Sequence, residues 1–159
     1  MNLKIIKRMV IHSMSRKEIE KIITENIREG YFTGGTTDNI IIQIEKSLKV
    51  TLPESYKWFL MKYGSGGIFG VDILGVGKSN SLIVVTETML YRKYGLEQSL
   101  VVIENCDEFI YCLDTGELKE GECPVVSWDQ HVGYDSIEAK DFNDFLLERL
   151  SDAEESWEE

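Results

Sequence analysis

Ser127, Asp129 and His131 are the three residue types that a hydrolytic relay uses: nucleophile, orienting acid and base. Their spacing works against a relay. Side chains two apart on an extended segment point the same way in parallel and do not converge on one proton path. Asp129 and His131 therefore read as polar loop residues that follow a strand. Gly75-Val76-Gly77-Lys78-Ser79 ends like a phosphate loop. That pattern needs a further glycine where this chain has Asp72, and a carboxylate there repels phosphate. Gly64, Gly66 and Gly67 miss the dinucleotide spacing because Phe69 takes the third glycine position, so they read as turn glycines. His12 and His131 are the only histidines, and neither pairs with a cysteine at ligand spacing. Asp107-Glu108 and the Asp135/Glu138 pair lack the surroundings of a calcium loop. No catalytic residue, metal or cofactor is expected.

The chain has 159 residues, with 17 basic against 28 acidic and a formal charge of −11. That charge disfavours direct nucleic-acid binding and an anionic membrane surface, and its natural complement is a basic partner. No apolar run is long enough to span a bilayer. Three cysteines, Cys106, Cys112 and Cys123, make an odd number without a C-x-x-C pair, and the basic, interrupted N-terminus is a poor export signal. These features predict free thiols and a cytoplasmic setting.

The elements that must position the polar residues follow from periodicity. Ser15-Arg16-Lys17-Glu18 has capping-box spacing and predicts a first helix from Ser15, with Ile19, Ile22, Ile23 and Ile27 on one face and a stop at Gly30. Tyr31 to Thr37 reads as a connection. Asp38 caps a second helix with Ile41, Ile44 and Leu48 inward. Leu52-Pro53 opens a third, with Tyr56, Phe59, Leu60 and Tyr63 at i, i+3, i+4, i+7, ending at Gly64. Ile68–Val76 and Leu82–Val85 read as extended, the second run alternatively leading straight into a helix over Thr86–Tyr94. Leu100–Glu104, Phe109–Leu113 and Pro124–Trp128 are β-type runs. A last helix begins near Asp141 with Phe142, Phe145, Leu146 and Leu150 on one side. The division is an extension over residues 1–14, one domain over 15–150, and an acidic, frayed tail over 151–159. Helices, then short strands without helical crossovers, then a helix predict an α+β fold with a largely antiparallel sheet.

One segment carries more than periodicity. Ile44 to Leu60, with Glu45, Leu48, Leu52-Pro53, Tyr56 and Phe59-Leu60, followed by Lys62-Tyr63-Gly64, resembles the signature of the SUKH superfamily, in its Smi/Knr branch. Tyr111 to Thr115, Pro124-Val125-Val126 and Ala139 to Leu146 match in the same order. The likeness covers about residues 38–150 and is nearest to YobK-like bacterial immunity proteins. It departs at Gly64-Ser65, where relatives often carry an Asn-Gly-type turn. The resemblance implies helices flanking a central, largely antiparallel sheet. It also implies an immunity protein that neutralises a cognate polymorphic toxin, such as a basic nuclease, by binding and without catalysis. A eukaryotic branch resembles cell-wall regulators, so a regulatory scaffold is the alternative, and a hydrolase using His131 and Asp129 is a third class. The toxin-binding candidates are the acids Asp107, Glu108, Asp114, Glu117, Asp129 and Asp135, with Trp128 and Tyr134 as aromatic anchors or, alternatively, as core residues.

Overall fold

The computed structural model describes residues 2–158. The first helix, α1, runs Leu3–Glu25 and so begins twelve residues before the predicted capping box. Asn2 caps it, its side-chain oxygen accepting from the Lys4 N–H at 2.8 Å. Nothing between Asn2 and Ser15 breaks a helix, and Ser15 is buried within α1 instead of capping it. The helix ends at Asn26, short of Gly30, and a 3-10 turn over Ile27–Glu29 leaves Ile27 exposed. Gly30 instead opens a short strand, β1 (Gly30–Phe32), against which β2 (Gly66–Ile68) pairs antiparallel.

Helix α2 spans Asp38–Leu48 and is capped by Thr37. Helix α3 spans Glu54–Tyr63. The Leu-Pro motif between them has a specific job. The Glu45 carboxylate accepts from the Leu52 N–H at 2.8 Å, tying the end of α2 to the start of α3. Tyr56 is fully buried, and its hydroxyl donates to the Leu74 carbonyl at 2.6 Å. Gly64 ends α3 with φ of 76°, and an added Cβ there would run into the Gly34 carbonyl.

Beyond β2 the predicted extended run to Val76 is not a strand. The chain turns at Phe69-Gly70, both with positive φ, and only Ile73 bridges back to Gly66. Gly77 to Asn80, the would-be phosphate loop, forms a 3-10 turn closed by the Gly77 N–H donating to the Ser81 carbonyl at 2.7 Å. Helix α4, Ile83–Arg92, takes in residues that also fitted a strand. Its Arg92 guanidinium donates to the carbonyls of Leu48 and Gln98, at 2.9 and 2.8 Å, satisfying the open end of α2.

The main sheet is an antiparallel meander of β3 (Leu100–Asn105), β4 (Ile110–Asp114), β5 (Val125–Asp129) and β6 (Gly133–Ala139), in that order. Its strand alternation splits the core. Val101, Ile103, Leu113 and Val125 join the cluster built by α1, α2, α3 and α5, while Leu100, Val102, Ile110, Cys112, Val126 and Trp128 pack as a second cluster with Leu74 and Tyr91. The β3 edge is covered: the Val102 N–H donates to the Thr88 hydroxyl at 3.0 Å, and the Leu74 N–H to the Ile103 carbonyl at 2.8 Å. Strand β6 forms the opposite edge. Its residues 134–138 are exposed, so it lacks the inward apolar alternation that marks a strand in sequence.

Helix α5, Phe142–Glu158, carries Phe142, Phe145, Leu146 and Leu150 into the core. Asp141 caps it by accepting from the Asp144 N–H at 2.9 Å. Over the described residues 151–158 the acidic tail does not fray. It continues α5, with the Trp157 ring packed on Phe69 at 5.8 Å and its Nε1–H donating to Glu29 at 3.0 Å. The three cysteines are free.

Candidate protein-binding surface

The two hairpin turns at one end of the main sheet bring several candidate residues together. In the β3–β4 turn, Asp107 adopts φ of 67°, and its N–H donates to the Asn105 side chain at 2.8 Å. Asn105 in turn donates to Glu87 and to the Tyr91 hydroxyl, at 3.1 and 3.2 Å, joining the turn to α4. In the β5–β6 turn, one Asp129 oxygen accepts from the N–H groups of His131 and Val132, at 2.6 and 3.2 Å. Those two bonds hold the Asp129 carboxyl below its ordinary range, so it stays ionised. Between the turns lies a notch of about 330 Å³ whose walls include Asp107, Glu108, Phe109, Trp128 and Asp129. None of the ion pairs formed among the described residues uses Asp107, Glu108 or Asp129.

Trp128 does not project as an anchor. It is 3% exposed and packs edge-to-face on Tyr91 at 6.0 Å, so it shapes the notch wall. Its Nε1–H has no acceptor among the described residues. Ser127 turns away, its hydroxyl 3.1 Å from that of Ser136 across β6. With Asp129 held by turn amides and His131 exposed, Ser127, Asp129 and His131 do not share a relay.

Asp114, Glu117 and Tyr134 belong to a second, wider cleft of about 1350 Å³ between the N-terminal half of α1, the connection from β4 to β5, and β6. Asp114 is only 8% exposed, so it does not present an open acidic contact. Burial raises its pKa, while the Gly116 backbone and the Tyr134 hydroxyl lower it. Tyr134 is 42% exposed. Asp135 is exposed on β6 and lines neither concavity.

The cleft also holds a group that sequence reasoning missed. His12 lies 3.4 Å from Asp141 and 3.8 Å from Glu122. Glu122 accepts from the Ser55 hydroxyl at 2.6 Å and from the Ser55 N–H. Burial raises the Glu122 pKa; the Ser55 bonds and His12 oppose it. Arg8 pairs with Glu120 beside them. These side chains come from four separate parts of the chain, and no local spacing announces them.

The Glu45, Leu52-Pro53, Tyr56 and Phe59-Leu60 pattern, the meander and the closing helix define a SUKH-type α+β domain. Residues 15–151 match the family model described as SUKH_5, SMI1-KNR4 cell-wall, and the chain belongs to that family. A crystal structure of a protein from Pseudomonas syringae pv. tomato is similar in fold, with a TM-score of 0.57 at 18% identity. The match covers 76% of this chain and 90% of that one. No helix among the described residues is long and apolar enough to cross a membrane.

Proposed function

We propose that this protein is a cytoplasmic immunity protein that binds a cognate toxin, a nuclease with a basic active-site face, and blocks it without turnover. The observation that carries this reading is the convergence of Asp107, Glu108 and Asp129 on one notch, free of internal cations among the described ion pairs, in a family member of charge −11. A nuclease surface is basic because it holds phosphate, and unpaired carboxylates compete for the same cations and speed the encounter. Tyr134 and Asp135, on β6 beside the notch, extend the contact across that strand, and Glu117, past the far end of β4, offers a separate acidic contact from the wide cleft. Trp128 contributes by holding the notch's shape.

Capture of the product of the adjacent gene, with rescue of cells expressing that product, tests the proposal. A neighbouring product that is neither toxic nor bound would overturn it. The second reading, a regulatory scaffold, rests on the cell-wall wording of the family description. A constitutive host partner in cells that lack any toxin gene favours that reading.

A further inference from the structure

The first half of α1 turns its apolar side outward. Five of the 17 basic residues fall within residues 1–17, where there is no acid. At 3.6 residues per turn, Lys4, Arg8 and His12 share the side facing the wide cleft, where Arg8 pairs with Glu120 and His12 approaches Asp141. Lys7 also borders that cleft. Leu3, Ile6, Val10 and Met14 form a stripe on the other side and are 40–65% exposed. An amphipathic helix normally buries that stripe. Here electrostatic contacts hold the helix to its own body by the side that carries Lys4, Arg8 and His12, where Ile5 and Ile11 also lie, and the Leu3–Ile6–Val10–Met14 stripe is left unpartnered.

We propose that this stripe pairs with the same stripe of a second copy in an antiparallel, two-fold-symmetric helix pair. Leu3, Ile6, Val10 and Ser13 follow the three-four spacing of a helix-pairing seam. In an antiparallel pair whose residue numbers sum to 16, Ile6 meets Val10 of the second copy twice, and Leu3 meets the small Ser13 twice. Lys17, the next seam position, ends the apolar run. The stripe with the exposed Met9 beside it presents on the order of 500 Å² per copy, and two copies reach the roughly 1,000 Å² at which specific interfaces begin. Lys4 and Arg8 lie away from the seam, and Lys7, one turn from both Leu3 and Val10, flanks it opposite Met9 of the second copy. An anionic lipid surface is the competing occupant: Lys4 and Arg8 are directed into the acid-lined cleft, away from the apolar side, while Lys17 lies on the seam side.

Sedimentation equilibrium of the full chain over a concentration series tests the proposal. The wild type should dimerise reversibly. Ile6→Glu with Val10→Glu should weaken the dimer at least tenfold with an unchanged circular-dichroism spectrum, and Val132→Glu, in the exposed β5–β6 turn, should leave it intact. Leu3→Cys with Ser13→Cys should yield an inter-chain disulfide. Within one helix those positions lie about 15 Å apart, too far for an internal bridge. This cross-link keeps the proposal testable if the glutamate variant unfolds. A wild type that is monomeric throughout the series overturns the proposal. So does a dimer that ignores Ile6→Glu with Val10→Glu, an absent cross-link, or a monomer that binds anionic vesicles through the stripe.

Discussion

Single side chains show where the stability resides. Phe59 is buried at the meeting of α3 and α5, with the Phe142 ring 5.7 Å away and the Phe32 ring 6.5 Å away. Phe59→Ala should lower unfolding stability by about 3–5 kcal/mol in chemical denaturation. Met61→Ala, at an exposed position of the same helix, should change it by less than about 0.5 kcal/mol. Equal effects would mean that the inner face of α3 is misassigned. Glu122 makes a pH-dependent contribution of the opposite sign to an ordinary salt-bridged carboxylate. Burial raises its folded pKa above the usual 4.5, so the folded state favours its protonated form. The associated stability is fully present below the unfolded value and is lost as pH rises through the raised one. Glu122→Gln keeps an acceptor for Ser55 and cannot ionise. Its stability curve from pH 4.5 upward should therefore fall less steeply than the wild type's. An identical slope would show that Glu122 does not titrate in that window.

At the level of elements, helix α5 illustrates how contacts at a distance extend a segment beyond its composition. Residues 151–159 are rich in acid, and like charges along a helix disfavour it. The helix persists because its last turns touch the body at separate points: Trp157 on Phe69, Trp157 on Glu29, and Glu154 accepting from Asn26 at 3.2 Å. Trp157→Ala removes the first two. It should cost about 1 kcal/mol, the range for an aromatic pair, and raise amide exchange in the final turns of α5. Unchanged exchange would mean that the end of α5 is held by something other than Trp157. The β6 edge is managed differently. It carries Asp135 and Glu138, and two register shifts against β5 break its regular ladder, so it does not offer a flat template for further strands.

The molecule's charge makes a kinetic statement that no single contact makes. Long-range attraction between an acidic protein and a basic toxin raises the association rate, and salt suppresses it as the Debye length falls from about 10 Å at 0.1 M to about 3 Å at 1 M. Asp107→Asn, Glu108→Gln and Asp129→Asn together remove three negative charges from the notch with little change of shape. The carboxamide that Asp129→Asn introduces still offers an oxygen to the His131 and Val132 N–H groups. Stopped-flow binding to a cognate toxin should show slower association and a flatter salt dependence, while dissociation moves less. Protection in cells can survive where high expression offsets a slower encounter. Association that ignores both salt and the triple substitution removes the electrostatic mechanism and leaves an apolar interface as the mode of binding.

Local chemistry sufficed for the parts of this protein that are stabilised locally. The stripes of α2, α3 and α5, the Pro53 start, the Gly64 stop and three of the four meander strands follow from periodicity and turn chemistry, because each buries one regular face. The family pattern follows in part, since Glu45 and Leu52 act over seven residues, whereas Tyr56 reaches Leu74 and Phe142. The remainder depends on distant partners. Ser15 has the spacing of a cap, but the chain before it is helical and rests on Glu120, Glu122 and Asp141, more than a hundred residues away. Strand β6 shows no inward alternation because it is an exposed edge whose order comes from pairing with β5. Residue type and a place at a strand end left Trp128 open between anchor and core and put Asp114 among the surface contacts; packing against Tyr91 and the fold around Asp114 buried both. Acidity was readable from the residue counts, but the union of Asp107 and Glu108 with Asp129 required two hairpin turns to end side by side. That placement comes from sheet register, which no single segment encodes.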